Sequence, residues 1–191
     1  MTKSGYHHGD LRATILAAAA EQIATDGVDA ISLRGLARRA GVSHAAPAHH
    51  FGDRSGLLTE LAIEGFDLLA DQLAAAGPDF REVGVAYIRF AREHPGHFDV
   101  MFRHELVHTD DPRLATARAR SRAVLTSGTG QPAGQLAAWS LVHGFAALWR
   151  EGALKNSTLG PSGAISTDPQ AVASGDPEAL ARHMLAAVTF D

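Results

Sequence analysis

The spacing of apolar residues constrains this fold more tightly than any other feature. It keeps the three-to-four-residue step of an α-helix along nearly the whole chain. Leu11, Ile15, Ala19 and Ile23 recur every fourth residue and form one stripe. Gly27 stops that helix, because glycine tolerates the left-handed turn at a helix end. Ser32 then caps a short helix over 33–40, and Gly41 ends it. Val42-Ser43 begins a third helix, with Ser43 as its cap and Phe51 near its end. Asp53 opens a long fourth, apolar along Leu57, Leu58, Leu61, Phe66, Leu69 and Leu73, which Gly77-Pro78 closes. A fifth covers 80–93, closed by His94-Pro95-Gly96, and a sixth runs from about 98 to 108. Further helices are predicted over 112–125, about 135–154 and 177–190, the last with Pro177 suited to its first turn. The stretch 155–175, rich in Ser, Gly, Pro and Thr, reads as a mobile loop. No strand pattern or repeat stands out, so the predicted class is all-α.

Composition narrows the class further. Of 191 residues 46% are hydrophobic and 20% charged, enough to bury a full core, which excludes a disordered chain. Cysteine is absent, which removes disulfide frameworks and thiolate metal sites and fits a cytoplasmic protein. Residues 1–10 hold no apolar run of the kind a signal peptide needs, and no stretch reads as a membrane span. The net charge of −4 alone argues weakly against nucleic acid. Its distribution matters more. Through residue 54 six cations face five anions, whereas the remainder carries eleven against sixteen.

Three short helices with a tight turn between the second and third make a DNA-reading unit of the helix-turn-helix kind. Here the turn is Arg39-Ala40-Gly41-Val42-Ser43. Gly41 permits a positive φ, Val42 can enter the three-helix core, and Ala37 is small enough for two crossing helices. The third helix would lie in the major groove. Ser43, His44, Ala45 and Ala46 would meet base edges or phosphates, with His49 further along. Ser32 and Arg34 on the second helix, and Arg54 at the start of the fourth, are the candidate phosphate contacts. Spacing alone is also met, though less readily, by a three-helix cap on a bundle that never touches DNA.

From about residue 8 to 73 the sequence resembles the TetR family of DNA-binding regulators. Tyr6-His7-His8-Gly9-Asp10-Leu11-Arg12, Ser32-Leu33-Arg34-Gly35-Leu36-Ala37, Gly41-Val42-Ser43 and His50-Phe51-Gly52-Asp53-Arg54 before Leu57-Leu58 carry the likeness through their order and spacing. The later part resembles a ligand-domain subtype marked by Trp139 with His143-Gly144, and by Tyr87-Ile88-Arg89-Phe90-Ala91 leading to Pro95 and Met101-Phe102. The resemblance implies a homodimer formed through the last two helices, and a palindromic or near-palindromic operator. Three positions depart from the family pattern. Ala48 stands where an aromatic phosphate contact is usual, Pro47 sits inside the recognition helix, and Arg54 replaces lysine. The recognition helix therefore holds no Lys or Arg.

Other constellations compete. His104-Glu105-Leu106-Val107-His108 matches H-E-x-x-H, which on a helix puts two imidazoles on one face beside a glutamate able to activate zinc-bound water. No third ligand follows, and Thr109-Asp110-Asp111-Pro112 breaks the helix at once. Tyr87, Phe90, Phe98, Met101, Phe102, Trp139 and His143 could line an effector pocket or simply pack a core. His143, in a mostly apolar helix, needs a polar partner from protein or ligand. Leu141, Phe145 and Leu148, with Leu180, Met184 and Val188, suit a four-helix contact across a two-fold axis, or packing within the chain.

These readings converge on a dimeric, non-enzymatic regulator without cofactor or metal. Residues 1–54 would form the three-helix DNA-binding domain, and 55–191 a larger helical bundle for effector binding and dimerisation. Its partners would be double-stranded operator DNA, a small-molecule effector and a second copy of the chain. A helical ligand-binding protein without a DNA role, and a zinc hydrolase using His104, Glu105 and His108, are the rival classes.

Overall fold

The computed structural model describes residues 8–127, 131–154, 158–159, 165–166 and 176–188. The chain is built from helices, as the apolar spacing requires: α1 (His8–Asp26), α2 (Leu33–Arg39), α3 (Ala46–Phe51), α4 (Arg54–Ala75), α5 (Phe80–Glu93), α6 (Pro95–Met101), α7 (Pro112–Thr126), α8 (Pro132–Arg150) and α9 (Pro177–Ala186). Two residue pairs, β1 (Thr158–Leu159) and β2 (Ile165–Ser166), form a short antiparallel ladder that the sequence pattern does not announce. The rest of 155–175, where a mobile loop was expected, lies outside the described residues.

The chain divides into two compact units, residues 1–67 with 94–118 and residues 68–93 with 119–191. In the first unit α6 packs along α1. Glycine makes that approach possible: a Cβ on buried Gly96 would lie 2.0 Å from the carbonyl oxygen of Ala20. Ile15, Leu16, Ala19 and Ile23 of α1 are buried, as are Leu57, Leu58 and Leu61 of α4. Polar ties hold the rim. Arg12 pairs with Glu60, which also receives Arg113 at 2.6 Å, and His97 Nε2 lies 3.1 Å from Glu64 Oε2. In the second unit α5 packs against α8 and α9, burying Tyr87, Phe90, Val142, Leu180 and Leu185. There Arg89 donates twice to Glu178, at 3.0 and 2.6 Å, and Arg92 adds a third contact at 3.3 Å.

Several helix ends match their sequence signals. Gly27 (φ 82°), Gly41 (φ 66°) and Gly77 (φ 82°) all adopt a positive φ, which glycine tolerates. The Ser32 hydroxyl accepts the Gly35 N–H at 3.1 Å, and Asp53 Oδ1 accepts the Gly56 N–H at 2.7 Å, which caps α4. Two helices differ from expectation at both ends. The helix expected over 98–108 starts earlier, at Pro95, and stops at Met101. Beyond it, Val107 is buried in extended backbone and the His108 N–H donates to Thr59 Oγ1 at 2.8 Å, so tertiary contacts outweigh helix continuation. The helix expected from about 135 to 154 instead covers Pro132–Arg150, because Pro132 suits the first turn and Gly152 (φ 83°) ends it.

Candidate nucleic-acid interface and effector-binding residues

The first unit carries the DNA-reading geometry. α2 ends at Arg39 with Ala40 as its C-cap, the chain turns at Gly41, and the Val42 N–H returns to the Ala37 carbonyl at 3.0 Å. The third helix begins two residues later than expected, at Ala46, and Ala45 rather than Ser43 is its N-cap. Pro47 is the reason. Continuing the helix back to Ser43 would need an N–H at position 47 aimed at the Ser43 carbonyl, and proline has none. The Ala46 N–H takes that carbonyl at 3.0 Å as a turn instead. Pro47 and Phe51 then face the core, while Ser43, His44, Ala45, Ala48 and His49 are exposed. Arg34, Arg38 and Arg39 of α2 are also exposed.

Two of the expected phosphate contacts also have structural partners. Ser32 is occupied in capping α2, although it stays exposed. Arg54 donates to the Val28 carbonyl at 2.8 Å and lies 3.9 Å from Asp29, so it ties α4 to the 3-10 turn Val28–Ala30. Sequence reasoning missed Arg12, whose guanidinium lies 5.6 Å from the centre of the Phe51 ring while pairing with Glu60. Its partner on α4 is 48 residues away, a distance that no local pattern reports.

The residues expected to bind an effector fall into two groups. Phe98, Met101 and Phe102 belong to the first unit. Phe102 meets Phe66 edge-on at 5.6 Å and Phe98 at 5.3 Å, and Arg118 lies 5.6 Å from the Phe66 ring centre. Tyr87, Phe90, Trp139 and His143 belong to the second. His143 finds its polar partner there: Nδ1 is 2.9 Å from the Tyr87 hydroxyl, which also receives a hydrogen bond from the Trp139 side chain. Burial pushes the Tyr87 phenol far up and the His143 imidazole down, so both stay neutral. A neutral imidazole accepting at Nδ1 carries its proton on Nε2. Arg122 covers the Trp139 ring at 5.8 Å.

Among the residues expected at a dimer contact, Phe145 and Leu180 are buried within the chain at 6% exposure each, whereas Leu148 is 45% exposed. Leu141, Met184 and Val188 are half-buried. Leu136, on the same helix as Leu148 and not among the residues expected at a dimer contact, is 61% exposed. The H-E-x-x-H segment is no α-helix. His104–Leu106 forms a 3-10 turn and Val107 is extended, so His104 and His108 lose the one-turn stacking that zinc chelation requires. Among the described residues no group of three or more His, Asp or Glu side chains could hold a metal ion.

A capped second helix, a glycine turn and a third helix with an exposed polar edge define a helix-turn-helix DNA-binding regulator. Two family descriptions match: bacterial regulatory proteins of the tetR family over residues 15–61, and the tetracyclin repressor-like C-terminal domain over 80–188. The chain belongs to the TetR family. Among solved structures it is similar to a protein of unknown function from Rhodococcus sp. RHA1, at 34% identity and a TM-score of 0.67, covering 82% of this chain and 91% of that one. SCO4313, provisionally assigned as a regulatory protein, is 26% identical over 80% of this chain and 90% of its own, with a TM-score of 0.66. A tetR-family regulatory protein from Rhodococcus RHA1 shares the fold at 18% identity and a TM-score of 0.67, covering 93% of this chain and 94% of that one. No curated protein matches the sequence. Among the described residues no helix is long and apolar enough to cross a membrane.

Proposed function

We propose that this regulator is a cytoplasmic homodimeric repressor, without a catalytic step, that leaves its operator when a small molecule binds. The observation that carries the reading is the exposed edge of the turn and α3. Ser43, His44, Ala45 and His49 stand outward while Pro47 and Phe51 anchor the helix. In this reading residues 1–54 form the DNA-binding domain and 55–191 the effector and dimer domain. Ser43, His44, Ala45, Ala46 and His49 meet the major groove. Ser32, Arg34 and Arg54 meet phosphates. The residues proposed for effector binding are Tyr87, Phe90, Trp139 and His143 of the second unit and Phe98, Met101 and Phe102 of the first, and the ligand domain is of the Trp139-His143-Gly144 subtype. Leu141, Leu148, Met184 and Val188 face the second copy, with exposed Leu136 and Leu148 as the most accessible apolar groups of that face, and Phe145 and Leu180, expected there too, pack behind it within the chain.

The mechanism is a shift between two spacings of the paired recognition helices. One matches successive major grooves and the other does not, and the effector binds the second more tightly. Fluorescence anisotropy on a duplex of the gene's own upstream region, with random DNA as competitor, tests the reading. Salt-sensitive binding that survives competitor is expected. Binding no tighter than to random DNA, on this duplex and on duplexes selected from a random pool, would overturn it.

A further inference from the structure

The DNA-reading segment has an uncommon charge supply. Between Gly41 and Gly52 its ionisable side chains are His44, His49 and His50, and it holds no Lys, Arg, Asp or Glu. His44 and His49 are exposed, and His50 is half-buried with its ring edge-on to His49 at 5.5 Å and beside Phe51 at 6.2 Å. Among the described residues none of the three is ion-paired. His97 and His108, by contrast, pair with Glu64 and Asp53.

We propose that His44 and His49 contact DNA as imidazolium cations, so that operator binding takes up protons. The inference rests on the DNA-binding reading above. Imidazole changes charge between about pH 5 and 8, and a nearby phosphate favours its charged form. In that form both ring nitrogens donate, to phosphate oxygens or to guanine N7 and O6. The elements packed around α3 do not override this. α2 contributes Arg34, Arg38 and Arg39, and α1 contributes Arg12 over Phe51, already paired with Glu60. The start of α4 contributes Asp53 and Arg54, with His108 of the following segment 3.8 Å from Asp53.

The consequence is a DNA affinity that rises as pH falls. The slope of log K against pH equals the number of protons taken up. The test uses the full chain and the tightest duplex selected from a random pool, at constant ionic strength. Affinity is expected to rise about tenfold from pH 7.5 to 6.5 in the wild type, and less than about twofold in H44Q/H49Q. The H108Q variant should keep the wild-type slope. Unchanged melting temperatures would establish that the variants fold. A flat wild-type profile with specific binding overturns this inference and leaves the regulator intact. So does an unchanged slope in H44Q/H49Q, or a slope lost in H108Q. Absence of specific binding at every pH overturns the DNA reading and this inference with it.

Discussion

His44 in the turn before α3 and His49 on α3 stand in solvent, whereas His143 sits half-buried on α8 with the Tyr87 hydroxyl 2.9 Å from its Nδ1. The same side chain has two fates. On the exposed edge it has no ion-pair partner within the described residues, so an outside ligand can set its charge. Between α5 and α8 it belongs to a satisfied polar cluster that burial keeps neutral. The broader contrast follows the two compact units. The first presents a polar edge outward from a core built by α1, α4 and α6. The second turns its polar groups inward, at Tyr87, and along its rim, at Glu178. A surface that reads another molecule must leave donors and acceptors unspent, and a core that holds its shape must spend them.

Mutations sharpen this contrast, and the largest effect is expected where backbone meets backbone. Gly96→Val would force a side chain into the Ala20 carbonyl and should destabilise the protein by about 3 kcal/mol or more, the scale of severe overpacking. Denaturant unfolding measures it, and a loss below about 1 kcal/mol would show that α1 and α6 can separate without penalty. Tyr87→Phe removes the hydroxyl that serves both His143 and Trp139. A cost of about 2 kcal/mol is expected from the buried groups left unpaired, and calorimetry would detect it.

Glu178→Gln should cost about 1 kcal/mol, because the guanidiniums beside its carboxylate remain partly solvated. Its pH dependence has a definite sign. Arg89 holds the Glu178 carboxyl below the usual carboxylate range, so this contribution is complete above that range. It fades as pH falls through the range and vanishes below the depressed folded value. Wild type and Glu178→Gln should therefore converge in stability at strongly acidic pH, and parallel curves there would contradict the pairing. Arg34→Ala, on the exposed edge, should leave stability within about 0.5 kcal/mol. It should flatten the salt dependence of DNA binding by about one unit of slope. Loss confined to one base variant would show that Arg34 reads sequence instead of phosphate.

Much of this arrangement was legible residue by residue. Gly27, Gly41 and Gly77 end their helices because each needs a φ that other residues avoid, and Ser32 and Asp53 cap theirs with side-chain oxygens. The segment 80–93 reads as a helix because its signals are local and uninterrupted. The start of α3 did not follow Ser43, because Pro47 removes a specific hydrogen bond; that cause lies in the sequence, but its outcome depends on which turn replaces the helix. The 98–108 segment failed for a different reason. Its backbone is drawn out of the helix by Thr59, 49 residues before His108, and by the burial of Val107.

By itself the sequence determined the helical class, most helix ends, the turn between α2 and α3, and a recognition segment whose charge rests on histidine. These depend on backbone preferences and neighbours within one or two helical turns, where the chain cannot avoid its own chemistry. Tertiary structure alone decided that Tyr87 supplies the partner for His143, that Glu178 gathers Arg89 and Arg92, that Arg12 covers Phe51, and that His104 and His108 do not stack. Each of those outcomes joins groups far apart in the chain. Their meeting is set by how helices pack and by which polar atoms must be satisfied once water is excluded.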